Sequence, residues 1–314
     1  MNRVAHHVCI LAGFAISLLV LAACKSAPKI AEPTDPLLAQ YVSSAQSAYA
    51  QNSFARAARF YELALQRARA IDNSLEVGKQ AYNLAAALHQ GGRSADALPY
   101  LAEAESAFSQ LRLDLGPVLL LRARALRATS DAAASEAAVR RVVELNTPRD
   151  VQAQAWLLYG RLAIDRGDGG EAEKALQRAR ALASDDPALQ AGIAGLSARL
   201  ALHTGSPAGA GAAFDREAEF FRRAGRFRDM AEALERAGDA FAASGAADDA
   251  GARYVRAARS YLGQGDSLSA LRAIERALAA AKEGQEFAWG AEAAALFDEI
   301  RRRQLAGKTA EPAE

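Results

Sequence analysis

Residues 156–179 read WLLYGRLAIDRGDGGEAEKALQRA, and their spacing decides the fold. Trp156, Tyr159 and Gly160 fall at i, i+3 and i+4, which places them on one face of a helix. Gly167-Asp168-Gly169-Gly170 then breaks the pattern and supplies a tight turn. Beyond it Ala172, Leu176 and Ala179 repeat the one-face spacing. The segment is therefore two helices joined by a turn. Its small residues let the helices approach, and its bulky ones fill the space between them.

Working outward, the second-helix pattern recurs along the chain. It is found at Ala57/Tyr61/Ala64, Ala97/Leu101/Ala104 and Ala250/Tyr254/Ala257, with weaker copies at Ser135/Val139/Val142 and Ala210/Phe214. Its first residues stand 40, 38, 37, 38 and 40 positions apart. A period of this length marks stacked helix-turn-helix repeats. Turn signals precede the copies at Gly91-Gly92, Gly205-Ser206-Pro207, Gly245 and Gly265-Asp266. Helix stops and N-caps separate the repeats at Asp72-Asn73-Ser74, Gly116-Pro117, Thr147-Pro148, Asp185-Asp186-Pro187 and Gly225. Alanine occupies 79 of 314 positions, which favours helix throughout.

The Trp156, Tyr159, Gly160, Gly167, Ala172, Leu176, Ala179 series resembles a tetratricopeptide (TPR) repeat in a long-helix variant. Leu234, Ala237, Gly238, Phe241, Gly245, Ala250, Tyr254 and Ala257 resemble another copy. Arg122 and Ser135 depart from the pattern in the third copy, and the fifth is glycine-rich. The resemblance implies an all-α solenoid of about seven hairpins, or fourteen helices, over residues 37–303, with 304–314 a disordered tail. The Arg301-Arg302-Arg303 run reads as a solvated helix end.

The N-terminus reads differently. Arg3 precedes a charge-free apolar run from Val8 to Ala23, too short to span a bilayer and suited to a signal sequence. The run closes on Leu21-Ala22-Ala23-Cys24. This resembles the lipobox of bacterial lipoproteins. The resemblance implies cleavage of residues 1–23, Cys9 included, and acylation of Cys24. Lys25 after the cysteine implies an outer-membrane anchor facing the periplasm of a Gram-negative envelope, in preference to the inner membrane. Several acyl chains would hold stably where one is marginal. Residues 24–36 then read as the lipidated cysteine and a proline-rich tether.

A formal net charge of +1 argues against a nucleic-acid binder, and two cysteines cannot build a disulfide scaffold or a cysteine-rich zinc site. His89 and His203 lack metal-ligand spacing, and no GxSxG or GxxxxGK motif occurs. The acid pairs Asp185-Asp186 and Asp248-Asp249 read as helix N-caps. We expect no enzyme activity and no cofactor.

In the TPR resemblance the first helix of each hairpin lines a concave face. Its ninth position reads Gln46, Ala86, Arg124, Arg161, Arg199 and Asp239. Three consecutive arginines suit carboxylates or phosphates, which their forked donors bind bidentately. Arg127 and His203 extend that face by a turn. Glu232, Glu235 and Asp239 make it acidic at one end, and Lys79, Tyr82, Asn83, His89 and Gln90 make it polar and aromatic at the other. The bland alternative is a solvated surface, with Arg161 merely pairing with Asp165 four residues on. The functional expectation is a scaffold or adaptor in envelope, secretion or pilus assembly, holding a protein segment with an acidic portion. TPR lipoproteins of this outline include pilus pilotins, a β-barrel assembly component and adaptors for peptidoglycan hydrolases. The alternative is a glycan- or peptidoglycan-associated factor in polysaccharide export.

Overall fold

The computed structural model describes residues 35–281 and 287–309. Fourteen helices pair into seven hairpins among these residues. They are α1 (Pro36–Ala50) with α2 (Phe54–Ala70), α3 (Ser74–Gln90) with α4 (Ser94–Gln110), and α5 (Gly116–Ala128) with α6 (Ala132–Glu144). Then come α7 (Arg149–Asp165) with α8 (Gly169–Leu182), α9 (Pro187–His203) with α10 (Pro207–Arg223), α11 (Phe227–Ala243) with α12 (Ala247–Gly263), and α13 (Ser267–Ala280) with α14 (Gly290–Thr309). The fold is an all-α TPR-type solenoid. None of the described helices is long and apolar enough to cross a membrane.

The turns follow from backbone sterics. Each hairpin turn up to α12, and each tight turn between hairpins, needs one residue with positive φ. Gly92 (φ 77°) and Gly167 (φ 84°) supply it without penalty. At Gly92 the amide of the next residue, Arg93, donates back to Leu88 C=O at 2.8 Å and closes the helix end. Asn52, Asp72, Arg112 and Ser130 adopt the same conformation despite a Cβ.

The repeat residues become the core. Ala57, Ala64, Ala97, Leu101, Ala104, Ala172, Ala179, Ala250 and Ala257 are all fully buried. The third-copy departures resolve locally. Ser135 buries its hydroxyl by donating to Ala123 C=O at 2.8 Å, and Arg122 pairs with Glu105 at 2.7 Å. The glycine-rich fifth hairpin uses Gly211 for close packing, since a Cβ there would lie 2.9 Å from the Phe241 ring.

Four expectations need correction. Asp186 does cap α9, accepting from Leu189 N–H, but Asp248 and Asp249 lie inside the first turn of α12. They hold Trp289 Nε1 (2.9 Å) and Arg253 instead. The helix of the last hairpin runs to Thr309, past the boundary drawn at Arg303, because Gln304, Leu305 and Ala306 favour helix and no proline intervenes before Pro312. Arg301 and Arg302 therefore stand within α14, with Arg301 over the Phe297 ring, and do not sit at its negative pole. At the other end, Pro36 opens α1 behind the cap Asp35, inside the stretch assigned to the tether. The signal run, the lipobox and Cys24 lie outside the described residues.

Candidate functional site

The register of the arginine ladder is set by the residue before each rung. Ala45, Ala85, Ala123 and Ala198 are fully buried, and Gly160 and Gly238 are buried with them. These small residues fix the rotation of the first helices, so their following residues share one face. That face carries Gln46, Ala86, Arg124, Arg161, Arg199 and Asp239. The helices that carry the three arginines touch in sequence, α5 on α7 and α7 on α9.

The arginines do not share one fate. Arg124 is exposed and donates from Nη2 to Gln154 Oε1 at 2.7 Å, a neutral partner. Arg127 forms an ion pair with Asp165 at 2.9 Å. That pair crosses from α5 to α7 and takes the carboxylate that would have neutralised Arg161. Arg161 and Arg199 are half-buried and have no ion pair among the described residues. Arg161 Nε is sealed from solvent with no hydrogen-bond partner. Burial, and then the neighbouring charge of Arg199, pull the Arg161 guanidinium down to about 10. It is still a cation at neutral pH. Burial lowers Arg199 as well, with Arg236 adding to the effect.

Two members of the cluster were not singled out from the sequence. Glu217 of α10 stands where the repeat places a final alanine, as at Ala64, Ala104, Ala179 and Ala257. Its side chain is 4 % exposed and lies 3.2 Å from Arg236 Nη2. Its Oε2 has no hydrogen bond. Burial pushes the carboxyl up, against the pull of Arg236, Arg161 and Arg199. Room for it exists because residue 195 is glycine, where a Cβ would sit 2.5 Å from Glu217 Oε1. Arg236 also stacks over Phe214, its guanidinium carbon 5.0 Å from the ring centroid. The missing third alanine of the fifth copy was the available signal.

The acidic end is internally neutralised. Glu235 is buried, accepts from Tyr261 Oη at 2.8 Å, and has Arg276 at 3.8 Å. Asp239 accepts from Tyr254 Oη at 2.7 Å and from Arg276 at 3.1 Å. Burial and these carboxylates push both tyrosines up. Glu232 is exposed and has Arg228 at 3.5 Å. At the far end Lys79 pairs with Glu76 at 2.9 Å, and half-buried Asn83 takes part in a long hydrogen bond to Gln80. Tyr82 is half-buried and pushed up by burial, against the opposing charge of Arg124. His89 Nδ1 lies 2.9 Å from Ser94 Oγ, and burial, then Arg124, lower its imidazole. His203 is exposed beside Gly169. The residues with unspent charge are thus the central arginines. No group of three or more His, Cys, Asp or Glu side chains suited to a metal occurs among the described residues.

No protein-family model and no curated protein matches the chain. Among solved structures, the chain is similar to the APC/C hetero-tetramer Cut9–Hcn1, with a TM-score of 0.53 and 14 % identity over 92 % of this chain and 52 % of the other. The chain thus spans about half the length of that neighbour. A tetratricopeptide repeat protein from Parabacteroides merdae aligns over 85 % of this chain and 100 % of its own, with 14 % identity and a TM-score of 0.48. A Rap protein complexed with Competence and Sporulation Factor aligns over 78 % of this chain and 74 % of its own, with 13 % identity and a TM-score of 0.48. The likeness to the Cut9–Hcn1 structure bears out the solenoid fold. The small rotation between stacked repeats of a solenoid creates an extended concave surface.

Proposed function

We propose that this chain is a lipid-anchored, periplasm-facing scaffold that holds an acidic segment of a partner protein against Arg124, Arg161 and Arg199. The observation that carries the groove is the pair of arginines without ion pairs on touching helices, with Arg161 Nε orphaned. A carboxylate reaching between Arg161 and Arg199 would accept from both guanidiniums. The anchor rests on Leu21-Ala22-Ala23-Cys24 and the apolar run before it. The scaffold reading rests on the solenoid and on a face whose forked cations suit recognition of an anionic group.

Fluorescence anisotropy with labelled acidic peptides tests the groove. Wild type should bind, and an Arg161→Gln/Arg199→Gln variant should lose about tenfold or more in affinity, as a charge-assisted pair is worth 1.5–3 kcal/mol. Equal affinity would overturn the assignment, as would binding only to an anionic polysaccharide. For the anchor, an alkyne fatty acid fed to cells should label wild type and leave Cys24→Ala unlabelled and in the soluble fraction.

A further inference from the structure

We infer that Glu217 is the groove's internal counter-anion and takes up a proton when an external anion seats on Arg161 and Arg199, so that anion binding tightens as pH falls. This rests on the anion-binding reading above and adds to it a specificity-determining residue.

Three observations place Glu217 in this role. First, its position is foreign to the repeat. Five other hairpins put Ala64, Ala104, Val142, Ala179 and Ala257 here, all fully buried. A carboxylate in that core slot is costly unless the charges around it compensate. Second, Gly195 opens the path. The first helix of the hairpin has no Cβ at the contact point, and the carboxylate lies where that Cβ would reach. Glu217 is buried whereas Arg161 and Arg199 are half-buried, so a ligand would reach the arginines from solvent. Third, the compensation is shared. Glu217 is faced by Arg199 from α9, Arg236 from α11 and Arg161 from α7. Arg236 alone lies within ion-pair distance, with its Nη2 3.2 Å from Oε2. On its own helix, Asp215 is occupied by Arg253 at 2.8 Å and does not join the cluster.

An anion that binds Arg161 and Arg199 from the solvent side withdraws their charge from Glu217 and adds its own. Both effects favour the neutral carboxylic acid. The buried carboxyl already leans that way through desolvation. The proton comes from solvent and resides on a Glu217 oxygen. By linkage, whatever raises proton affinity on ligand binding raises ligand affinity on protonation.

The test uses a peptide of cysteic acid carrying a pH-insensitive rhodamine, because sulfonates stay ionised across the range and any pH effect belongs to the protein. Anisotropy is read at constant ionic strength from about pH 8 to about pH 5.5 with the folded full chain. Wild type should tighten by about fivefold or more on acidification, within the limit of tenfold per pH unit set by one proton. Glu217→Gln, isosteric and uncharged, should show a flat profile and bind near pH 8 about as tightly as wild type binds near pH 5.5. A His89→Gln/His203→Gln variant should keep the wild-type slope. Should Glu217→Gln not fold, calorimetry of that histidine variant in two buffers of different ionisation enthalpy still decides, since it should show uptake of up to one proton per probe. A Glu217→Gln profile that slopes like wild type, or zero proton uptake, overturns the inference and leaves the groove assignment standing. Failure of wild type to bind the probe at any pH overturns both.

Discussion

Gly195 and Glu217 are a matched pair: a Cβ on residue 195 would lie 2.5 Å from Glu217 Oε1 and 2.8 Å from its carboxyl carbon. Neither residue suits its own helix. Glycine in a helix interior costs roughly 0.5–1 kcal/mol relative to alanine, and a buried carboxylate costs more. Together they bring a negative charge to the back of a cationic groove.

Their coupling gives a change of sign. Gly195→Ala in the wild-type background should destabilise by about 1–2 kcal/mol, because the displaced carboxylate loses its place among three arginines. In a Glu217→Ala background the same substitution should stabilise by about 0.5–1 kcal/mol through helix propensity alone. Urea denaturation of the four proteins closes the double-mutant cycle. Additive values would mean that the two sites are independent.

Arg161 should behave as a residue kept for function at a cost to stability. A base whose ionisation is pulled down on folding, to about 10 here, destabilises the fold at every pH below about 10 and is relieved only above it. Arg161→Met keeps the unbranched stem out to the Nε position and removes the charged group. Thermal unfolding at neutral pH should show a gain of about 1–3 kcal/mol, a rise of several degrees. Affinity for an acidic peptide should fall in the same variant. A drop in melting temperature would show that Arg161 is a structural cation.

Asp165 tunes the ladder through Arg127. The two side chains pair across the α5–α7 junction at 2.9 Å, both partly exposed, so the pair itself adds little to stability. Asp165→Asn should leave the unfolding midpoint within about 0.5 kcal/mol of wild type. It should tighten an anionic probe by about two- to fivefold at low salt, because Arg127 is released to the groove.

Acid should loosen the N-terminal end first. Asp35 caps α1 at Leu38 N–H and binds Arg67 through both oxygens, which lowers its carboxyl to about 2. A carboxyl lowered on folding contributes stability above its unfolded value of 3.8, and that stability disappears as pH falls through about 2. Hydrogen exchange of the first turn of α1 should quicken in wild type between about pH 4 and pH 2 beyond the intrinsic rate. Asp35→Asn keeps the cap, loses the charge, and should be insensitive to that window. Equal pH responses would exclude Asp35 as the cause.

The repeat was legible because its physics is local. The small residues at 57, 97, 172 and 250 and the turn glycines are fixed by contacts within one hairpin, and the structure buries each of the former fully. The ladder register followed from the same phase. What the sequence did not reveal lies between hairpins. Asp165 sits one helical turn from Arg161, yet curvature of the stack delivers it to Arg127. Glu235 and Asp239 read as an acidic surface, yet Tyr261 and Tyr254, from the neighbouring α12, occupy them. Glu217 was not singled out from the sequence, and only the proximity of α9 showed why glycine answers it at 195.

The groove itself is tested most directly inside the cell, by placing a photoreactive amino acid at residue 154, beside Arg124, or at residue 203, one turn beyond Arg199, of the full-length chain and mapping the crosslinked segment by mass spectrometry. Both positions should capture the same acidic stretch of one envelope protein. Arg161→Glu in the same chains should abolish the crosslink while circular dichroism shows the helices intact, and a reporter at Arg178 on α8 should capture nothing from that stretch. Crosslinks that persist through Arg161→Glu, or that form at residue 178 alone, would contradict the assignment of the arginine ladder as the partner-binding surface.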